Sequence, residues 1–391
     1  MLHYNLGHYQ VDDKIFFKKS HATFYANQNG KKDIQWVYHD EIFNALDWTH
    51  EPEISLDIFY RERAKQIREQ FDYVILMCSG GADSTNMLLA FLQNNLKVDE
   101  IVIAAPWSGM NKWQDNAFSI CPSNMISETN LTQIPLVKYV ATQYPEIKIT
   151  QNDYFQNILN FKPEEWIQDC PNFYNPSSSR NSLELLGHLK DLVDRGKVIA
   201  KVYGTDKPNL AMTESGNIYY VVQDFSISHT LHSSILGYDH AIIPVTFYWN
   251  HEIPQLMIKQ AHIVANWIFK PENSEALKYL WKVEDPKSWS FSVERISKYQ
   301  NRIIPAIYPK LQHRQVFQTL KTINTEVSLL HDKIWLKEHH QGLDILNYIY
   351  EDIEKFFSSV DEKYRSSKWD LLPIKKWWKI GNKRDFYPTK L

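Results

Sequence analysis

The run Ser79-Gly80-Gly81-Ala82-Asp83-Ser84 holds the residue types that an anion site needs. Gly80 and Gly81 let the backbone curl around a phosphate with no Cβ in the way, and Ser79 and Ser84 add hydroxyl donors. Asp83 is the odd member, because a carboxylate beside a phosphate repels it. A divalent metal between the two removes the conflict, and magnesium is the usual metal at phosphate sites. A second charged segment, Gly204-Thr205-Asp206-Lys207-Pro208, offers matching chemistry. Lys207 is suited to neutralise phosphate charge, and Asp206 to hold a second magnesium or to position Lys207. The plainer reading of each segment is a tight turn.

The surrounding pattern places both segments. Tyr73-Val74-Ile75-Leu76-Met77-Cys78 reads as a strand and Thr85 to Asn94 as a helix. The glycine loop therefore sits where a strand hands over to a helix N-terminus, and there the free backbone N–H groups and the helix dipole point the same way. A helix is expected over 53–70 before that strand, with Leu56, Phe59, Tyr60, Ala64 and Ile67 on one stripe. A second strand over 100–105 stops at Pro106. A helix over 131–144, a strand over 147–149 and a helix over 181–195 capped by Gly196 follow. The strand at 198–203 runs directly into Gly204. Strands alternating with helices predict an α/β fold with a doubly wound parallel sheet, in which ligands bind at the carboxyl ends of strands. Both charged segments lie at such ends.

With all its fixed positions in place, the hexapeptide resembles the SGGxDS signature of the ATP pyrophosphatases. This PP-loop family includes asparagine synthetase, GMP synthetase, NAD synthetase and the tRNA lysidine and thiolation enzymes. It is not a Walker A element, which needs GxxxxGK followed by Ser or Thr. The resemblance implies an adenine nucleotide alpha hydrolase-like domain that takes ATP and Mg2+ and cleaves ATP between the α- and β-phosphates. Pyrophosphate would lie on Ser79, Gly80, Gly81, Ala82, Asp83 and Ser84, with Asp83 and Lys207 catalytic and Asp83 and Asp206 on magnesium. Gly204-Thr205-Asp206 is similar to the corresponding turn of NAD synthetase. The family binds adenine after the second strand, largely through backbone groups, which implies Ala105 there, with Trp107 as a stacking candidate. A carbonyl or carboxylate oxygen of a small-molecule acceptor is adenylated, and an amine then displaces AMP. Glutamine-dependent relatives carry an N-terminal glutaminase whose cysteine follows the initiator Met. Here position 2 is Leu. The expected nitrogen donor is therefore ammonia, another amine, or a separate amidotransferase subunit.

Bulk properties narrow the classes. The 391 residues suffice for a large core. A net charge of -3 supplies no global field for nucleic acid or membrane. Cys78, Cys121 and Cys170 form no CxxC pair, as expected for a reduced, cytoplasmic protein without a zinc framework. No basic n-region or 18-residue apolar run is present, so neither a signal peptide nor a membrane span is expected. The Asn-, Lys- and aromatic-rich composition resembles that of phage-encoded, asparagine synthetase-like members, for which the compartment is the host cytoplasm.

Three regions are expected. Residues 1–52 form a β-rich leader, with strands at Lys14-Ile15-Phe16-Phe17 and Ile34-Gln35-Trp36-Val37-Tyr38 and a turn signal at Asn29-Gly30. Residues 53–270 form the nucleotide domain, including a hairpin of 209–212 and 218–222. Residues 271–391 form a helical region ending in a basic tail, with Lys375, Lys376, Lys379, Lys383 and Arg384 around Trp377 and Trp378.

Further candidates carry two readings each. Arg180 within Ser177-Ser178-Ser179-Arg180-Asn181 suits an anion, or the segment is a helix cap. His229 and His232 have metal-ligand spacing without a third ligand. Lys259 and His262 line a pocket or face solvent, solvent being the expectation. Asn301, Arg302, Tyr308, Pro309, Lys310, Gln318 and Lys321 recognise substrate or form a solvated helix face. The leading functional reading is an ATP-dependent C–N ligase. The alternatives are a tRNA- or base-modifying enzyme of the same family, to which the basic tail is suited, and an ATP-binding regulator without catalysis.

Overall fold

The computed structural model describes residues 7–105, 132–153, 186–205, 207–224, 240–284, 293–308, 311 and 374–386. Its centre is a five-stranded sheet of β4 (Tyr73–Met77), β5 (Glu100–Ala105), β6 (Lys148–Asp153), β7 (Ile199–Tyr203) and β10 (Ile242–Thr246). The order across the sheet is β10-β7-β4-β5-β6, and every pairing is parallel. The chain leaves β4 on one side to build β5 and β6, then returns to build β7 and β10 on the other. The order therefore reverses between β4 and β7.

Side-chain alternation splits the sheet into two buried faces. Val74, Leu76, Ile101, Ile103, Ala200 and Val202 join one core with the helices Leu56–Gln70, Ala82–Leu92, Ile134–Gln143 and Gln255–Ile268. Ile75, Met77, Val102, Ile199, Tyr203 and Ile242 join another with Leu189, Leu192 and Val193 of the helix Leu186–Asp194. Handedness explains the split. Right-handed crossovers that step outward from β4 put their helices on one face, and the crossover that steps back to β7 puts its helix on the other. Helices on both faces of a parallel sheet agree with the wound α/β arrangement expected from the sequence. Gly196 (φ +75) closes the helix Leu186–Asp194, with Lys197 N–H bonded to the Leu192 carbonyl at 3.0 Å.

A second sheet has the order β11-β8-β9-β12. The hairpin of β8 (Asn209–Thr213) and β9 (Asn217–Gln223) is the one expected from Ser215-Gly216-Asn217. The described residues of the C-terminal region include strands as well as helix. Alongside the helix Val293–Ile307 they supply β11 (Trp281–Val283), parallel to β8, and β12 (Lys375–Asn382), antiparallel to β9. The part of the basic tail over Lys375–Asn382 is thus woven into a sheet. Trp378 is buried, stacks on Trp48 with ring centroids 4.7 Å apart, and donates to Asn44 Oδ1 at 2.9 Å. Lys376 pairs with Asp40.

The leader forms a sheet of β1 (His8–Val11), β2 (Lys14–Phe16) and β3 (Gln35–Val37) in the order β2-β1-β3. The two expected strands exist but do not pair with each other, because β1 stands between them in the sheet, and the helix Lys19–Gln28 connects them. Asn29-Gly30 ends that helix instead of turning a hairpin. Gly30 has φ +63, Lys31 N–H bonds to the Ala26 carbonyl at 2.8 Å, and Gly30 N–H to that of Asn27 at 3.3 Å. These are the paired bonds of a Schellman cap. The leader is tied to the second sheet by a buried ion pair, Lys19 Nζ to Asp224 Oδ2 at 2.8 Å, and by Tyr9 donating to the same oxygen at 3.1 Å. The Ile374 N–H donates to Asp224 Oδ1 at 2.9 Å. The expectation that Lys259 and His262 face solvent is not met. His262 is buried with Nε2 2.9 Å from the Trp48 carbonyl, and Lys259 bonds to Glu51 at 2.7 Å and to the Pro52 carbonyl at 2.8 Å. Both spend their polar ends on the leader. No described helix is long and apolar enough to cross a membrane.

Candidate functional site

The glycine loop sits at the carboxyl end of β4, and the segment from Gly204 sits at the carboxyl end of β7. These are the two strands between which the sheet order reverses, the place where open α/β sheets form a ligand crevice. Gly81, extended at φ -71 and ψ 173, caps the helix Ala82–Leu92, and no side chain caps it. The N–H groups of Ala82, Asp83 and Ser84 have no carbonyl one turn back to bond, so they remain as donors for an anion. Ser79 Oγ and Ser84 Oγ face each other at 3.3 Å across the loop.

Two glycines make the geometry possible. Gly80 has φ +73, and a Cβ there would stand 2.7 Å from the carbonyl carbon of Thr132. Thr132 in turn donates to the Ser79 carbonyl at 3.3 Å, so the loop is packed against the residues that open the helix Ile134–Gln143. Gly204 lets the end of β7 approach the loop, since a Cβ on it would meet the Asp83 carbonyl oxygen at 2.9 Å. We expect Gly80→Ala to cost about 1–3 kcal/mol of stability, because backbone strain and a backbone clash coincide. Denaturant unfolding checks this, and an unchanged midpoint would contradict the described loop.

The loop and the second segment meet through charge. Lys207 Nζ donates to Asp83 Oδ2 at 2.6 Å, across 124 residues of sequence, with Lys207 9% and Asp83 22% exposed. Lys207 lies between the end of β7 and the start of β8, so two sheets fix its position. The other Asp83 oxygen, Oδ1, accepts from the Tyr308 hydroxyl at 2.7 Å. The Tyr248 hydroxyl donates to the Asp83 carbonyl at 2.8 Å and accepts from Asn86 Nδ2 at 3.0 Å. Burial, reinforced by the Asp83 charge, holds the Tyr308 phenol well above its ordinary range. Burial does the same for Tyr248, with Tyr60 and Asp83 adding to it. Both remain hydrogen-bond donors at any physiological pH. Tyr60, Tyr248 and Tyr308 pack as one cluster, and the Tyr60 hydroxyl bonds to the Ile307 carbonyl at 2.9 Å, which pins the end of the helix Val293–Ile307.

Cys78, directly before the loop, is buried, and burial pushes its thiol up to about 12, so it is no thiolate nucleophile. Ala105 ends β5, in register with Asp153 of β6. Thr205 follows Gly204 in the loop after β7. Asp206, Trp107, the Ser177–Asn181 segment with Arg180, His229, His232, Pro309, Lys310, Gln318 and Lys321 lie outside the described residues. Arg302 is exposed on its helix.

The sequence pattern points to Asp83 and Lys207 but not to Tyr248, and it leaves Tyr308 undecided between substrate and solvent. Tyr248 follows β10, a strand disguised by Pro244 in its middle. Proline is compatible with a strand at the edge of a sheet, and β10 is at the edge. Among the described residues, no group of three or more His, Cys, Asp or Glu could hold a metal. No protein-family model, curated protein or solved structure matches the chain.

Proposed function

We propose that the chain is an ATP-dependent ligase of the PP-loop, ATP pyrophosphatase type, with an adenine nucleotide alpha hydrolase-like domain. The carrying observation is the 2.6 Å contact between Asp83 and Lys207, which joins the SGGxDS loop to the strand across the switch point. Pyrophosphate has its donors there: the N–H groups of Ala82, Asp83 and Ser84, the hydroxyls of Ser79 and Ser84, and the Lys207 ammonium. Each charge-assisted hydrogen bond is worth about 1.5–3 kcal/mol.

Magnesium fits this donor set in one way. Mg2+ at nucleotide sites takes one or two carboxylates and completes its shell with phosphate oxygens and water. Asp83 is the described carboxylate that meets this need, so the ion would arrive with the nucleotide rather than reside in a protein cage. Bound there, it would offset charge between Asp83 and the phosphates. Lys207 stabilises the charge that grows on pyrophosphate as the bond to the α-phosphorus breaks, and Tyr308 holds Asp83 in place.

In the reaction, a carboxylate or carbonyl oxygen of the acceptor attacks the α-phosphorus and pyrophosphate leaves. Ammonia or another amine then displaces AMP and forms a C–N bond. The protein contributes position and fixed charge. Nitrogen comes from free ammonia, a small amine or a separate amidotransferase subunit.

Tyr308→Phe keeps the ring packing and removes only the donor to Asp83. It is expected to lower AMP release about tenfold, the equivalent of roughly 1.4 kcal/mol, and to move the melting temperature little. Unchanged turnover would reduce Tyr308 to packing. The reading as a whole is tested by exchange of labelled pyrophosphate into ATP with Mg2+ and a panel of carboxylates. Exchange that requires one acceptor supports it. Acceptor-dependent formation of ADP without exchange would replace adenylation with γ-phosphoryl transfer.

A further inference from the structure

We infer that Gln133 reads the nucleotide base by accepting a hydrogen bond from an exocyclic amine, which selects adenine. The inference rests on the nucleotide reading above and deepens it by naming the residue that sets base specificity. Gln133 is 4% exposed, and its Nε2 donates to the Ala104 carbonyl at 3.1 Å. A carbonyl can only accept, so the amide NH2 must face Ala104, and this settles which way the amide is turned. Its Oε1 is therefore the atom left over for a second partner. That oxygen is buried and has no hydrogen-bond partner. An amide oxygen removed from water without a donor is a cost that native structures rarely leave uncompensated.

The position says what the missing donor is. Thr132, next in the chain, is locked to the phosphate loop by its bond to the Ser79 carbonyl and by its contact with Gly80. Ala104 is one residue from the carboxyl end of β5, the strand beside β4. The amide thus stands at the carboxyl ends of β4 and β5, on the far side of the loop from Lys207 and β7. Among the described residues, two other buried amide or carboxyl oxygens lack a partner, Glu100 Oε1 and Gln260 Oε1. Glu100 opens β5 at its amino end, and Gln260 lies in the helix Gln255–Ile268. Neither is at the carboxyl ends of the strands. With the phosphates on Ser79–Ser84, we place the base along this edge. Adenine presents an amine donor at its 6-position, whereas guanine and hypoxanthine present a carbonyl oxygen. A carbonyl facing Oε1 sets two acceptors against each other, and a site that leaves its own polar atom unpaired rejects the wrong ligand.

The test is titration of the full chain with ATP and with ITP in Mg2+, by calorimetry. The wild-type chain is expected to bind ATP at least about tenfold more tightly than ITP. Gln133→Met, or Gln133→Leu if circular dichroism shows that the methionine variant does not fold, should weaken ATP about tenfold and bring the two nucleotides together. Equal affinities in the wild-type chain overturn the assignment without any variant. So does an undiminished preference for ATP in the folded variant. In both cases ATP binding survives, whereas binding of neither nucleotide by the wild-type chain removes the nucleotide reading together with the assignment.

Discussion

Asp83→Asn is expected to abolish AMP formation while the protein stays folded. The substitution keeps the shape of the side chain and leaves an oxygen to accept from Tyr308. It removes the charge that Lys207 pairs with and turns an NH2 group toward a group that can only donate. Under the proposed function it also removes the described carboxylate that faces magnesium. We expect turnover to fall at least about a thousandfold, the scale seen when one preorganised charge-stabilising group is lost. The stability cost should be only about 1–3 kcal/mol, because the pair is not fully buried and Tyr308 keeps its bond. Product analysis alongside a thermal melt separates the two effects. A folded variant with full activity would strip Asp83 of its role.

Lys207→Met is expected to act on affinity first. The methionine keeps an apolar stem of similar length beside β7 and β8 but has no ammonium. The phosphates lose a charge-assisted bond worth about 1.5–3 kcal/mol, so ATP should bind about 10–100-fold more weakly. Calorimetric titration reads this directly, and unchanged affinity would return Gly204–Pro208 to a plain turn. The two substitutions share one ion pair, so the double variant should lose less than the sum of the two losses. Additive losses would mean that Asp83 and Lys207 act on separate steps.

Much of this arrangement is legible in the chain because its signals are local. β4 and β7 are near-continuous apolar runs, the mark of strands buried on both faces. The glycines that follow them are forced by backbone geometry at Gly80 and by close approach at Gly204. The two strand ends therefore mark the site in the residue pattern itself. Where one local signal has two physical uses, the pattern misleads. Asn29-Gly30 can turn a hairpin if both residues take positive φ, but here Asn29 stays at φ -100 and Gly30 alone is left-handed, which ends a helix instead. Lys19–Gln28 has no apolar stripe to announce that helix. Pro244 hides β10, whose edge position depends on the strand order. Trp377 and Trp378 read as part of a basic tail suited to RNA, yet the register of β12 against β9 sends Trp378 into the core. The contacts of Tyr308 and Tyr248 with Asp83 span 225 and 165 residues. No periodicity or motif carries information over that separation. They arise only because the helix Val293–Ile307 and the segment after β10 end at the same residue, one at its carboxylate and the other at its backbone carbonyl.

The central claim is that this crevice cleaves ATP at its α-phosphorus. The most direct test is incubation of the purified chain with α-³²P-labelled ATP, Mg2+ and a panel of carboxylates, amines and tRNA, followed by separation of the labelled products. The account predicts labelled AMP, formed only when one class of acceptor is present. Labelled ADP, or tight binding of ATP with no product under any acceptor, would contradict it and leave a kinase-like or purely regulatory nucleotide site in its place.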